Sequence, residues 1–387
     1  MDVKQLDKRY IANTYARFPL QLVKGKGSLV YDEYGKEYID LGTGIAVNGF
    51  GVADEEWTQA VVEQLGKIQH TSNLYYNEPC ALLAEELCLR SGMKKVFFSN
   101  SGAEANECAI KIARHYGQSK KGKDCYTVIT LKNSFHGRTI TTLSATGQDV
   151  FHEYFTPMTE GFAYAEPNDL DEVKRICKER KCCAVMVELV QGEGGVTALD
   201  EGYVKALAEF IKEEDMLLLV DEVQTGNGRT GTLYAYMGYG ILPDVVTTAK
   251  GLGGGLPIGA TLLGERVEGI FAPGMNGSTF GGNPVACAGA LNILKRINEK
   301  LLKEVREKSE YIFKELSACN GVKSVSGKGL MIGVDCEGDV NAIIQECREK
   351  GVLVIKAKNK IRLLPALNIP MEQLKTAIKR IKEVIEK

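Results

Sequence analysis

The run Met216-Leu217-Leu218-Leu219-Val220 stops abruptly at Asp221-Glu222-Val223-Gln224-Thr225-Gly226. Five apolar residues without alternation predict a strand buried on both faces, as in a parallel sheet covered by helices. One strand–crossover–strand unit later, Asp244-Val245-Val246-Thr247-Thr248-Ala249 repeats the pattern and delivers Lys250 into Gly251-Leu252-Gly253-Gly254-Gly255. A carboxylate and an amine therefore each stand at the carboxyl edge of a predicted buried strand. Ligands of open α/β sheets bind at that edge.

Working outward, strands and helices alternate from 96 to 264, which predicts a mostly parallel sheet. Val96-Phe97-Phe98-Ser99 runs into Asn100-Ser101-Gly102-Ala103. A helix follows with Ala105, Ala109, Ile112, Ala113 and Tyr116 on one face. A strand, a Ser-Gly turn and a helix N-terminus form either a phosphate cradle or an ordinary serine cap. Cys125 to Leu131 is the next strand, ending at Phe135-His136-Gly137-Arg138-Thr139. Here an aromatic ring and an arginine could stack on a flat group and bind a carboxylate. Lys181 to Val190 reads as a strand leading into Gln191-Gly192-Glu193-Gly194-Gly195, where Glu193 is the sole charge. Tyr203 to Glu214 is the crossover helix, and Ala260 to Gly264 another strand.

Upstream, Ser28 to Leu41 reads as a hairpin turning at Glu33 to Gly35, followed by Gly42-Thr43-Gly44-Ile45. The polar and aromatic His70 to Tyr76 suggests a contact surface for substrate or a second subunit. Downstream, Gly277-Ser278-Thr279-Phe280-Gly281-Gly282-Asn283 precedes a helix of small residues. From about Leu301 helices and strands form a separate α+β unit with Arg362 on a strand. The predicted division is an N-terminal segment 1–50 belonging to a small domain, a large domain 51–285, and a C-terminal small domain 286–387.

Composition narrows the function. Of 387 residues, 48 are Lys or Arg and 50 Asp or Glu, which argues against nucleic acid as the main partner. No apolar run approaches membrane-spanning length, and Met1 to Arg9 lacks a signal-peptide core. The 11 cysteines are scattered with no Cys-x-x-Cys, which predicts a reduced, cytoplasmic setting. The four histidines lack metal-ligand spacing, so no metal is expected. No Gly-x4-Gly-Lys-Ser/Thr occurs, and Leu256 breaks a dinucleotide Gly-x-Gly-x-x-Gly at 251. Taken alone, Lys250 could be a solvated strand end. Paired with Asp221, it suits pyridoxal phosphate (PLP), whose ring acts as an electron sink when an acid keeps its nitrogen protonated.

Four blocks together carry a family resemblance: Ser99-Asn100-Ser101-Gly102-Ala103-Glu104-Ala105-Asn106-Glu107, Phe135-His136-Gly137-Arg138-Thr139, Asp221-Glu222-Val223-Gln224-Thr225-Gly226 and Ala249-Lys250-Gly251. In this order they resemble the class III (ω-) aminotransferases of the fold-type I PLP enzymes. The likeness runs from Tyr15-Ala16-Arg17-Phe18-Pro19-Leu20 to Ile361-Arg362-Leu363-Leu364-Pro365. One departure is visible: where the family usually has Leu-Gly-His and then His-Pro, this chain has Phe50-Gly51-Val52-Ala53-Asp54.

The resemblance implies an α/β fold with a mostly parallel central sheet, helices on both faces and a smaller α+β domain. It implies Lys250 as the lysine joined to the cofactor and as proton shuttle, with Asp221 as partner of the pyridine nitrogen. Val223 and Phe135 would sandwich the ring and Gln224 would reach its phenolic oxygen. Ser101, Gly102 and Ala103 would hold the phosphate, helped by Thr279 and Ser278 of a neighbouring subunit in a homodimer. Arg138 would bind a substrate carboxylate. Arg362 would take the α-carboxylate of glutamate, with Glu193 as its switchable screen. The implied reaction is transamination of acetylornithine with 2-oxoglutarate in arginine biosynthesis. Ornithine, succinylornithine, succinyl-diaminopimelate and 4-aminobutyrate are the nearby alternatives, and a non-catalytic PLP-binding regulator is the rival from another class. Two arginines would let one site accept acetylornithine through its side-chain amine and glutamate through its α-amine. The lack of an aromatic residue at Gly42 to Ile45 leaves room for an acyl group.

Overall fold

The computed structural model describes residues 2–387. Its centre is a seven-stranded sheet in the order Lys95–Ser99, Gly259–Leu263, Val245–Thr248, Leu217–Asp221, Cys182–Val187, Thr127–Leu131, Phe162–Ala165. Every pairing is parallel except the two made by Gly259–Leu263. Five of these strands, 127–131, 182–187, 217–221, 245–248 and 259–263, are buried at every position. That burial explains why their sequences are apolar without alternation.

Helices cover both faces. Gly102–Lys121 lies along one face, burying Ala105, Ala109, Ile112, Ala113 and Tyr116, as its 3.6-residue spacing predicts. Glu201–Glu213 and Leu170–Glu179 pack against the other. Asp221 and Lys250 leave neighbouring strands, with Asp221 in register with Thr247. Three elements differ from their sequence-based expectation. Gly259–Leu263 runs antiparallel because a short Gly-rich connection, rather than a crossover helix, returns the chain. The strand expected over Lys181 to Val190 ends at Val187, and a short second strand, Val190–Gln191, follows. The break turns Glu188 toward the sheet's carboxyl edge. Phe162–Ala165, with the helix Leu170–Glu179 that follows it, was not read as a strand–helix pair.

A second body is built from both ends of the chain. The hairpin Leu29–Asp32/Glu37–Asp40 forms as expected. It continues into Val352–Leu353, which pairs in parallel with Glu37–Asp40. Beside it stands an antiparallel sheet, Val322–Lys328, Met331–Cys336, Lys360–Leu363 and Ile355–Ala357, backed by Glu299–Ser317, Val340–Glu349 and Met371–Ile385. The atypical loop 50–54 has a structural explanation. Asp54 caps the helix Glu55–Leu65 and pairs with Arg296 at 2.6 Å, and the Arg296 guanidinium lies 4.1 Å over the buried Phe50 ring. Among the described residues no helix is long and apolar enough to cross a membrane.

Candidate active site

At the carboxyl edge of the large sheet lies a cavity of about 440 Å³, a size suited to a small cofactor and its substrate. Three walls come from predicted motifs. The first is the N-terminus of helix Gly102–Lys121. Ser101 caps it, accepting from Glu104 N, while Glu104 returns its carboxylate to Asn100 N at 2.8 Å and Ser101 Oγ at 3.0 Å. The remaining free N–H groups and the helix dipole make this end suited to an anion. Gly102 is required by close approach, since a Cβ there would stand 2.6 Å from Val223 Cγ1.

The second wall carries the charge at the cavity base. Asp221 is buried. Its Oδ2 accepts from Asn106 Nδ2 at 2.8 Å and lies 2.8 Å from His136 Nδ1, and its Oδ1 accepts from Val223 N at 3.0 Å. Thr247 Oγ1 in turn holds Asn106 Oδ1 at 2.6 Å. Burial disfavours a charged His136, but the bond to Asp221 wins and keeps its pKa above the ordinary value. The result is a carboxylate fixed in one orientation by three donors. Glu188 is also buried here, accepting from Phe135 N at 2.9 Å. Burial pushes its pKa up to about 7, with His136 opposing the rise.

The third wall is the turn bearing Lys250, which takes a left-handed φ of 45°. Such a conformation is uncommon for a non-glycine residue and is retained where surrounding packing fixes it. Burial lowers the Lys250 pKa against the pull of Glu193 and Asp221, which enriches the neutral, nucleophilic amine.

Of the residues singled out in the sequence, Ser101, Gly102, Ala103, Phe135, Arg138, Asp221, Val223, Gln224 and Lys250 all line the one cavity. Arg362 and Glu193 stand at its margin, joined to each other at 2.6 Å. Arg362 also donates to Gln224 Oε1 at 3.3 Å. Thr279 and Ser278 do not line it. Thr279 is exposed, and Ser278 Oγ accepts from Asn100 Nδ2 and Gly281 N. Sequence reasoning gave no role to Asn106, His136, Glu188 or Thr247. Asn106 and His136 lie inside recognised blocks, but their use depends on contacts across the sheet. Glu188 was read as interior strand.

These residues fit PLP. The cradle at 101–103 suits its phosphate, Phe135 and Val223 suit its ring faces, buried Asp221 suits a protonated ring nitrogen, and Lys250 is a buried amine whose pKa burial lowers.

The comparisons agree. The family model for class-III aminotransferases matches residues 10–385. An acetylornithine aminotransferase from Haemophilus ducreyi is 50% identical over 385 residues, 99% of this chain and 98% of that protein. One from Aquifex aeolicus is 46% identical over 97% of this chain and 100% of that protein. Among solved structures, the N-acetylornithine aminotransferase of Stenotrophomonas maltophilia aligns with a TM-score of 0.86 at 36% identity, covering 98% of each chain. The ornithine aminotransferase of Toxoplasma gondii aligns at 0.94 and 32%, covering 99% of this chain and 94% of that one.

Proposed function

The chain belongs to the class-III aminotransferases, and from that premise we propose that it transfers the side-chain amine of N2-acetyl-L-ornithine to 2-oxoglutarate. The products are N-acetyl-L-glutamate 5-semialdehyde and L-glutamate, and the step serves arginine biosynthesis. The cofactor is PLP, which supplies an electron sink for the bonds of the carbon bearing the reacting nitrogen.

The chain's own residues supply the rest. Lys250 Nζ, whose pKa burial lowers, would be the amine that holds the cofactor and would take and return the proton of the reacting carbon. Asp221, held by Asn106, His136 and Val223 N, keeps a negative charge aimed at the ring nitrogen. Phe135 and Val223 would hold the ring between them, and Gln224 would meet its phenolic oxygen. Ser101, Gly102 and Ala103 hold the phosphate at a helix N-terminus. Arg138 binds the distal carboxylate.

The observation that carries the dual-substrate reading is the state of Arg362. It is 3% exposed, its Nη1 is engaged by Glu193, and its Nε is buried without a partner. A guanidinium that is charged, buried and only partly satisfied is poised to receive a carboxylate. While paired with Glu193 it presents no net charge to acetylornithine, which brings no carboxylate to that position. Glutamate would displace Glu193 and take its place.

The partner's Thr279 completing the phosphate site is part of this reading, supported by its exposure on a loop outside its own cavity. The active species is then a dimer, and full activity of a sedimenting monomer would remove Thr279 from the site. The reading as a whole is tested by steady-state kcat/KM for acetylornithine, succinylornithine, ornithine and 4-aminobutyrate with 2-oxoglutarate. Acetylornithine should lead; a lead for ornithine or 4-aminobutyrate would overturn the assignment.

A further inference from the structure

Arg138 is exposed and makes no ion pair or side-chain hydrogen bond among the described residues, yet it lines the cavity. A long flexible side chain in that state samples many rotamers, and a carboxylate would have to order it on binding. What restrains it is aromatic. Its guanidinium carbon lies 4.1 Å from the centroid of Phe151 and 5.5 Å from that of Phe135. The two rings meet edge-on, 6.0 Å apart at 76°.

Phe151 does not line the cavity. It ends the single 3₁₀ turn Asp149–Phe151, and that turn is anchored to the segment that carries Phe135 and Arg138. Phe151 N donates to Gln148 O, Gln148 Nε2 donates to Ser134 O at 3.0 Å, and His152 Nε2 lies 2.9 Å from Leu143 O. The half-buried ring is thus a fixed platform, and the arginine is the movable part laid on it.

We propose that Phe151 is a positioning residue for the carboxylate-binding arginine: by stacking under Arg138 it holds the guanidinium plane ready to meet a substrate carboxylate with two parallel N–H donors. Stacking occupies the face of a guanidinium and leaves its in-plane N–H groups free, so support and recognition do not compete. The inference rests on the reading of Arg138 given above. It adds a specificity element outside the cavity, acting on substrates that carry the distal carboxylate and not on the cofactor.

The test uses the PLP-loaded full-length enzyme and four variants: Phe151→Leu, Phe151→Tyr, Arg138→Ala and the double variant Phe151→Leu, Arg138→Ala. Substrates are acetylornithine and N-acetyl-1,4-diaminobutane, which keeps the reacting amine and acyl group but lacks the carboxylate. Phe151→Leu should raise KM for acetylornithine roughly three- to tenfold, the range of a cation–π contact at a partly exposed site. Its kcat should stay within about twofold, and its kcat/KM for the decarboxylated analogue should not change. Phe151→Tyr should restore wild-type KM. In the Arg138→Ala background Phe151→Leu should add nothing, because the two act as a unit.

The outcomes separate the two claims. If Arg138→Ala leaves acetylornithine KM unchanged, the role of Arg138 fails and this inference with it. If Arg138→Ala raises KM but Phe151→Leu does not, only the inference fails. Equal losses for both substrates, or a loss of PLP affinity in place of substrate KM, would show that Phe151 merely supports Phe135 and would overturn the proposal.

Discussion

Two neighbouring buried carboxyls at the end of strand 217–221 differ in what holds them. Asp221 has three donors, whereas Glu222, the next residue, is fully buried with Tyr236 N and the Thr225 hydroxyl on its two oxygens. Burial pushes its pKa up to about 7, against the pull of those donors. A carboxyl whose folded pKa lies above its ordinary value of 4.5 binds its proton more tightly when folded. Its contribution to stability is therefore complete below about pH 4.5 and is lost as pH rises through 7. Glu222→Gln cannot ionise, so its melting temperature relative to wild type should climb between about pH 4.5 and pH 7 and level off above that. Parallel melting curves across that range would show that Glu222 does not titrate there. At this scale the sequence was partly legible. Asp221 and Lys250 stood out because charges ending apolar runs must face something. Asn106, His136 and Thr247 did not, because an interior polar side chain looks the same in sequence whether it caps a strand or orients a carboxylate.

Elements were legible where their periodicity was unambiguous. The buried strands at 217–221 and 245–248 appear within a residue or two of where the spacing puts them, and the helix begins at Gly102, where the Ser-Gly turn puts it, and runs on to Lys121. Direction was not legible for Gly259–Leu263, since an apolar run carries no sign of whether its neighbour runs with or against it. The break after Val187 was missed for a related reason: a single carboxylate inside an apolar run reads as an exception until the fold shows it entering a cavity.

The helix N-terminus offers the sharpest test at this scale. In Gly102→Ala the new Cβ would meet Val223, so either Val223 or the first turn of the helix must shift. Both line the site. PLP affinity should fall tenfold or more, by titration of the apoenzyme followed by absorbance, while far-ultraviolet circular dichroism stays that of the wild type. Unchanged PLP affinity would mean that the approach of helix and Val223 is not what shapes the cradle.

Across the whole molecule, the site is the place where two bodies meet. Lys250 and Asp221 stand at the carboxyl edge of the large sheet, and Glu193 lies on the loop after Val190–Gln191, a strand of a separate two-stranded sheet. Arg362 comes from the antiparallel strand Lys360–Leu363, near the other end of the chain. The N-terminal segment is tied to the same region, for Thr43 Oγ1 donates to Leu364 O at 2.6 Å and Leu364 N to Leu41 O at 2.7 Å. The sequence alone could not bring Glu193 to Arg362. Their separation along the chain spans both bodies, and only family resemblance joined them before the fold was known. Under the proposed function, their 2.6 Å contact would act as a latch whose opening is a choice between substrates. That choice separates a dual-substrate transaminase from an enzyme with one fixed carboxylate site.

The direct measurement is single-turnover absorbance of PLP-loaded Arg362→Ala, mixed in turn with glutamate and with acetylornithine. Loss of a charge-assisted contact costs about 2–3 kcal/mol, or roughly a thirtyfold or greater fall in the apparent rate constant at subsaturating substrate. That fall should appear with glutamate, while acetylornithine, whose carboxylate would reach Arg138 under the proposed function, should stay within about threefold of the wild type. Equal losses with both substrates would contradict the two-arginine account.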